Sequence, residues 1–299
     1  MKKQSVFSFL RIAFMALTVI LPGSALAQSS INWLTAIQYA KLVNIAEGVS
    51  PSSDYTSADK QLISEQGYTF LQPIYGSDLS TDATPDVSDT VSYGYLALSP
   101  AGELVAVLRG TDTILEWIDD AQFYFVFNPI PNTYGFTEEG FSGIYRSLRI
   151  ARSTSSQTAV SSMQGYVSAG TAKSVAIAGH SLGGALATLL ALDVARNSKQ
   201  KSPVIYTYAS PRVGEEFFAN DFNDTVPTSY RIYNNTDVVP DFPLWPYTSV
   251  KTPFELVSNS SQVNTDITCS HHLTTYLWLM GQKAGVNAGT LEANCIPGN

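Results

Sequence analysis

The feature that most constrains the fold is GHSLGG, Gly179 to Gly184, which stands between an apolar segment and an alanine-rich one. The apolar segment, Ser174 to Ala178, predicts a short buried strand, and Leu182 to Arg196 predicts a helix. A Gly-x-Ser-x-Gly turn in this context holds its serine in a sharp, strained bend. Because the glycines let strand and helix approach closely, Ser181 is expected to present its hydroxyl at the edge of a sheet.

Further strands and helices surround this turn. Val204 to Ala209 and Tyr230 to Tyr233 predict strands after the helix, while Tyr93 to Leu98 and Glu103 to Arg109 predict a hairpin before it. Strands that alternate with helices predict the α/β class, with a mostly parallel central sheet and helices on both faces. Active sites in such sheets gather at the carboxyl ends of the strands, where Ser181 is expected.

Three other segments carry predictions of local structure. Ser29 to Ala46 and Thr137 to Arg152 predict helices, because apolar residues recur close to helical spacing. Ser50 to Asp59 is polar and predicts a turn region.

The first 27 residues have the pattern of a secretory signal peptide. A basic start is followed by the apolar run Ile12 to Leu21 and the small residues Ala25 to Ala27. The run is too short to span a membrane, and no stop-transfer pattern follows. We therefore expect cleavage near Ala27, residues 28–299 as a single domain, no integral membrane span, and a secreted or periplasmic product.

The remaining chain is acidic. The sequence has 17 Lys and Arg against 25 Asp and Glu, and the leader holds three of the basic and none of the acidic residues. The charge after cleavage is therefore 14 minus 25, or −11. This charge excludes nucleic acid and anionic membrane surfaces as electrostatic partners. Nothing in the sequence requires a metal or cofactor, and nothing indicates an oligomeric state.

The chain contains two cysteines, Cys269 and Cys295. In an oxidising compartment a disulfide between them is expected, and it would tether the tail beside a pair of histidines. The alternative is two free, buried thiols.

A serine hydroxyl needs a base that takes its proton, and the sequence offers few. The chain has three histidines, and His180 lies inside the turn itself. In enzymes with this turn the order along the chain is serine, acid, histidine, which leaves His271 and His272. Apolar spacing from Leu273 predicts a helix with Ser270 as its N-cap, so both histidines fall at its first turn. The apolar spacing therefore does not show which of the two histidines is the base.

The acid is expected between the serine and the histidines. Asp237 follows a strand that ends near Tyr233, at the edge where an orienting acid belongs. The alternatives in the same part of the chain are Asp221, Asp224, Asp241 and Asp266.

An oxyanion also needs two N–H donors. The backbone N–H of Leu182 is the first candidate, because it follows the serine at a helix N-terminus. The strand Leu104 to Leu108 ends in RGT, so Thr111 is the second candidate.

Together these stretches resemble the class 3 lipases, the fungal-type triacylglycerol lipases of the α/β-hydrolase fold. The matching stretches occur in the family's order over roughly residues 93–280: VLRGT with Trp117 and Asp120 after it, Gly140-Phe141, GHSLGG, YASPRVG from Tyr208, NNTDVVPDFP from Asn234, and HHLTTYL from His271. Glu139 stands where the family often has histidine, and Glu116 where it favours Asp or Asn.

The resemblance implies a role for each matching residue. Ser181 would be the nucleophile, Asp237 the orienting acid, and Thr111 with Leu182 the oxyanion hole. Many members of the family read His-x-Leu-x-x-Tyr-Leu, which favours His271 as the base and leaves His272 as the alternative.

The resemblance also implies a lid over 112–132, where TILEW precedes the aromatic run FYFVF. It would shield an acyl pocket until a lipid surface opens it. We expect a serine carboxylester hydrolase, foremost a triacylglycerol lipase at a lipid–water interface. The alternatives are a phospholipase, a feruloyl or short-chain esterase, or a non-catalytic binding relative.

Overall fold

The computed structural model describes residues 30–77, 90–111, 123–153, 155–200, 202–250 and 253–298. The predicted signal peptide lies outside these residues, and of the predicted lid only 123–132 lies within them. Ile31–Asn299 forms one compact unit.

The strands form two sheets. In chain order the strands are β1 (Thr69–Ser77), β2 (Thr90–Leu98), β3 (Glu103–Leu108), β4 (Phe125–Phe127), β5 (Phe136–Glu138), β6 (Ser174–His180), β7 (Val204–Tyr208), β8 (Gly214–Glu215), β9 (Ser229–Asn234), β10 (Tyr247–Thr248) and β11 (Pro253–Leu256). The central sheet has the order β1-β2-β3-β6-β7-β9-β11, antiparallel as far as β3 and parallel from β3 onward. The second, small sheet has the order β10-β8-β5-β4.

The helices of the described chain cover both faces of the central sheet. They are α1 (Trp33–Glu47), α2 (Ser57–Glu65), α3 (Glu139–Ser147), α4 (Ala159–Ser168), α5 (Leu182–Asn197), α6 (Glu216–Thr225), α7 (Ile267–His271) and α8 (Leu273–Ala284). Along β3, Leu104 and Ala106 pack into a core with α5, while Val105 and Val107 pack into a core with α1 and α8. This alternation follows from the two-residue period of a strand and confirms the predicted α/β class.

Two helix boundaries differ from the sequence predictions because of side-chain caps. The helix predicted over Ser29 to Ala46 begins at Trp33, since Asn32 Oδ1 accepts hydrogen bonds from the first-turn N–H groups. The polar turn predicted over Ser50 to Asp59 is wrong at its end. There Thr56 and Asp59 form a capping box that starts α2.

The helix predicted over Thr137 to Arg152 is correct only in its middle. The chain first forms β5, and the Glu138 carboxylate then accepts a 2.8 Å hydrogen bond from the Phe141 N–H to start α3. The helix ends at Ser147, because Leu148 is extended and Arg149 pairs with Tyr75 of β1. None of the described helices combines the length and hydropathy needed to cross a membrane.

Candidate active site

The glycines of the turn between β6 and α5 allow its unusual backbone conformation. Ser181 has φ 55° and ψ −126°, a strained conformation for a residue other than glycine. A Cβ on Gly179 would lie 2.1 Å from the Gly183 carbonyl oxygen. A Cβ on Gly183 would lie 2.3 Å from the Leu108 carbonyl oxygen. Both positions require glycine, and Ser181 is thereby held at the N-terminus of α5.

Three predicted side chains meet at the carboxyl ends of the parallel strands. Ser181 Oγ donates a hydrogen bond of 2.8 Å to His271 Nε2. His271 Nδ1 in turn donates one of 2.9 Å to Asp237 Oδ2. This tautomer follows because an ionised carboxylate only accepts hydrogen bonds. The serine is 1%, the histidine 7% and the aspartate 4% exposed, so the hydrogen bonds are shielded from water.

The Asp237 carboxylate is held by three donors. Besides His271, the Tyr276 hydroxyl donates to Oδ2 at 2.7 Å, and the Val239 N–H donates to Oδ1 at 3.0 Å. Burial, and next the charge of Asp237, raises the pKa of Tyr276 well above its ordinary value, so the hydroxyl keeps its proton. The carboxylate is therefore fixed both by the turn after β9 and by α8.

The alternative acids lie in other surroundings. Asp241 is in an exposed ion pair with Arg212, and Asp221 is paired with Arg196. Asp224 is exposed, and Asp266 caps α7. Asp237, in contrast, has its carboxylate within hydrogen-bonding distance of the His271 ring.

The two adjacent histidines point to different partners. His271 is the last residue of α7, and His272 is extended, with φ −60° and ψ 134°. The His272 side chain accepts from Thr274, through its N–H at 3.3 Å and its hydroxyl at 2.9 Å, and so caps α8. The prediction of Ser270 as N-cap is wrong, because the helix breaks at His272 into two helices with caps of their own.

The predicted disulfide between Cys269 and Cys295 is present. It lies two residues before His271 in the chain and ties the C-terminal segment to α7.

The turn after β3 lies against the serine. Parallel pairing sets Leu108 opposite Gly179, and a Cβ on Gly110 would lie 3.1 Å from Ser181 Cβ. Thr111 follows in this turn, and Leu182 is the first residue of α5. The two segments predicted to supply oxyanion donors are therefore neighbours.

Three polar residues at this site were not predicted from the sequence. Tyr276 belongs to the apolar spacing that starts at Leu273, His180 lies outside the expected chain order, and Glu47 comes directly after the predicted helix Ser29 to Ala46. Only the single hydroxyl on an otherwise apolar face distinguishes Tyr276. In the described part of the chain, no group of His, Cys, Asp and Glu side chains is arranged to hold a metal.

A family model described as lipase (class 3) matches residues 105–247, which include the turn after β3, Ser181 and Asp237. Over these residues the chain matches the class 3 lipase family. Its sequence is 32% identical over 175 residues to a lipase from Rhizomucor miehei, a match that covers 54% of this chain and 46% of that protein. It is 28% identical over 235 residues to the secreted mono- and diacylglycerol lipase A of Penicillium cyclopium, covering 78% of this chain and 73% of that one.

A plant relative is named for a different activity. The rice protein phospholipase A1-II 7 is 28% identical over 228 residues, covering 64% of this chain and 54% of the rice chain. The matches thus span from about half to three quarters of these relatives. A solved structure of a Rhizomucor miehei lipase deletion mutant in its propeptide complex superposes with a TM-score of 0.58 over 76% of this chain and 67% of that one, at 24% identity. This similarity shows the α/β-hydrolase fold.

Proposed function

We propose that this protein is a class 3 lipase: a secreted serine carboxylester hydrolase that forms an acyl-enzyme on Ser181 and acts on acylglycerols. The observation that carries the proposal is the continuous line of hydrogen bonds from Ser181 through His271 to Asp237. A nucleophile, a base and an orienting acid in this geometry recur in acyl-transfer enzymes on unrelated folds. The family relatives support the ester as substrate class.

The reaction follows from the arrangement of the groups. His271 Nε2 takes the Ser181 proton as Oγ attacks the ester carbonyl carbon, and the carbonyl oxygen becomes an oxyanion. We assign its stabilisation to the N–H groups of Leu182 and Thr111. The intermediate collapses when His271 gives the proton to the departing alcohol. Water, activated by the same histidine, then releases the acid, while Asp237 stabilises the imidazolium that forms in each half.

Two observations favour a lipid surface as the place where substrate is met. Ser181 is 1% exposed, so an ester reaches Oγ only after covering residues move. Large apolar side chains are exposed on and near the small sheet: Phe127, Tyr134, Phe217, Leu244 and Trp245. These exposed apolar side chains support the predicted lid. Within the lid segment, Phe125–Phe127 forms β4, which pairs with β5.

The substrate class is tested by one comparison of purified enzyme on three substrates. These are dissolved p-nitrophenyl butyrate, tributyrin above and below its solubility limit, and phosphatidylcholine vesicles. An acylglycerol lipase should hydrolyse tributyrin faster than the phospholipid, with a jump in rate when emulsion forms. Smooth saturation through the solubility limit would instead indicate a plain esterase. Preference for phosphatidylcholine, the activity named for the rice relative, would assign a phospholipase.

A further inference from the structure

The turn that carries Ser181 also carries His180, which takes no part in the reaction above. His180 is 5% exposed, and both its ring nitrogens have partners. Nδ1 lies 2.7 Å from Glu47 Oε1, on the last residue of α1. Nε2 lies 2.9 Å from the main-chain carbonyl oxygen of His271. His180 thus links α1 to the backbone of the proposed base.

The partners of His180 determine where its protons lie. A main-chain carbonyl oxygen only accepts hydrogen bonds, so Nε2 carries a proton. Glu47 Oε1 also accepts from the Gly110 N–H at 3.4 Å, as an ionised carboxylate does, so Nδ1 carries the second proton. Burial opposes the charge on each group. The charge and hydrogen bond of the partner outweigh it, which raises the pKa of His180 and lowers the pKa of Glu47.

The same carboxylate reaches the turn that precedes the proposed oxyanion donor. A Cβ on Gly110 would lie 3.2 Å from His180 Nδ1 and 3.3 Å from Glu47 Oε1, so only a residue without a side chain fits there unhindered. On the other side, the ring centroids of His180 and His271 are 4.8 Å apart. One ion pair, between the buried His180 and the half-buried Glu47, therefore contacts both the turn after β3 and the base.

We propose that Glu47 and His180 are positioning residues, which hold the His271 backbone and the Gly110 turn at a fixed separation around Ser181. The inference rests on the proposed ester hydrolysis, because it gives the pair a role in that reaction. Base, nucleophile and oxyanion donors must be aligned within a fraction of an ångström, and a displacement of about 1 Å costs about 10²-fold in rate. A purely structural brace would change stability and leave the turnover of each folded site unaltered.

Substitution of Glu47 separates these two roles. In Glu47→Gln, the amide oxygen at the Oε1 position can accept from Gly110 and His180 Nδ1. A neutral imidazole then has no proton left for the His271 carbonyl. If the amide nitrogen takes that position instead, the Gly110 hydrogen bond is lost. Three hydrogen bonds are at stake: Gly110 to Glu47, His180 to Glu47, and His180 to the His271 carbonyl oxygen. Either orientation of the amide loses one of them, and Glu47→Ala loses the two that Glu47 accepts.

The experiment measures kcat and KM with dissolved p-nitrophenyl butyrate, and counts competent sites by titration with a p-nitrophenyl phosphonate. We expect kcat per titrated site to fall about tenfold in Glu47→Gln and about 10²-fold in Glu47→Ala and His180→Ala, by the same alignment argument. KM should stay within about twofold, because the substrate contacts are unchanged. The melting temperature of each variant reports its folding separately.

Glu103→Gln is the matched control. Glu103 is also a half-buried carboxylate bound to α1, through the Tyr39 hydroxyl at 2.9 Å, and it also accepts from Tyr68 at 2.7 Å. It begins β3, at the opposite end of that strand from Gly110. The variant removes the charge of Glu103, so the melting temperature should change while kcat per titrated site stays at the wild-type value.

A second readout is independent of activity. Nitrogen NMR of the three histidines at neutral pH should show both ring nitrogens of His180 protonated in the wild type, and only one in Glu47→Gln. A single proton on wild-type His180, or an active wild type whose Glu47→Ala variant keeps kcat per site within about twofold, would overturn the positioning role alone. A wild type without esterase activity would overturn the proposed function, and with it any catalytic part for the pair.

Discussion

At the scale of single residues, the orienting acid is distinguished by its surroundings. Asp237 is buried with three donors on its carboxylate, whereas Asp241, four residues on, is exposed and paired with Arg212. Asp237→Asn should lower kcat by about 10⁴, because the amide no longer holds the His271 tautomer or stabilises its charge. The measurement is kcat on p-nitrophenyl butyrate, with Asp241→Asn as the control. An equal loss in both variants would show that the acid is misassigned.

The histidine pair gives a second prediction at this scale. His271→Ala should abolish turnover and leave the fold intact. His272→Ala should keep most of the activity but lose the cap of α8, at about 1 kcal/mol of stability. Turnover and urea unfolding of both variants separate the two roles. If His272→Ala is the inactive variant, His272 is the base.

The sequence predicted the three side chains that chain order and scarcity single out. Ser181 is marked by its glycines, the base by the shortage of histidines, and the acid by the end of a strand. Glu47 could not be predicted, because 133 positions separate it from His180 and only the packing of α1 on the sheet joins them. The contact of Tyr276 with Asp237 could not be predicted either, because a tyrosine on an apolar helix face is usually a core residue.

At the scale of elements, the bend between β6 and α5 depends on glycine. Gly179→Ala should prevent folding or lower the melting temperature sharply, because its Cβ would lie 2.1 Å from the Gly183 carbonyl oxygen. Gly165→Ala, inside α4 with nothing within 4 Å of the added Cβ, is the matched control. It should raise stability by about 0.5–1 kcal/mol through helix propensity. Thermal unfolding compares the two, and equal stability in both would contradict the account of the bend.

The disulfide joins α7 to the C-terminal segment across 26 positions. Its loss in the double variant Cys269→Ser, Cys295→Ser should lower the free energy of unfolding by about 3.5 kcal/mol, from the entropy of closing such a loop. Urea unfolding of oxidised wild type and variant tests this. Since the hydrogen bonds of His271 come from other elements, kcat at low temperature should change little. A large kcat loss in a folded variant would assign the disulfide to the site itself.

Long periodic elements were predicted well, and short or capped ones were not. The hairpin of β2 and β3 and the strands β6, β7 and β9 follow from alternation and apolar runs. Strands of two to four residues, such as β8, β10 and β11, carry too little pattern to be recognised. The break between α7 and α8 was missed because the apolar spacing begins only after it.

At the scale of the whole molecule, the ion pair of His180 and Glu47 makes stability depend on pH. The pKa of His180 is raised in the folded state, so its contribution is complete below about pH 6.5 and is lost as the pH rises through the raised pKa. The pKa of Glu47 is lowered, so its contribution is lost only as the pH falls below about 4.3. The other charged groups acting on the pair are Asp237 and His272.

This dependence is measurable as a difference between two proteins. The urea midpoint of the wild type should fall as the pH rises above about 6.5, and that of Glu47→Gln should fall less, because no carboxylate then raises the pKa of His180. Parallel curves for the two proteins would show that the pair does not titrate as an ion pair.

The central claim is that Ser181 attacks an ester. The most direct measurement is the turnover of p-nitrophenyl butyrate by wild type and Ser181→Ala at equal concentrations of folded protein. The account predicts that the wild type turns over and that the alanine variant, with an unchanged melting curve, loses on the order of 10⁴–10⁶ in kcat. A folded alanine variant that keeps about a tenth of the wild-type kcat would contradict it.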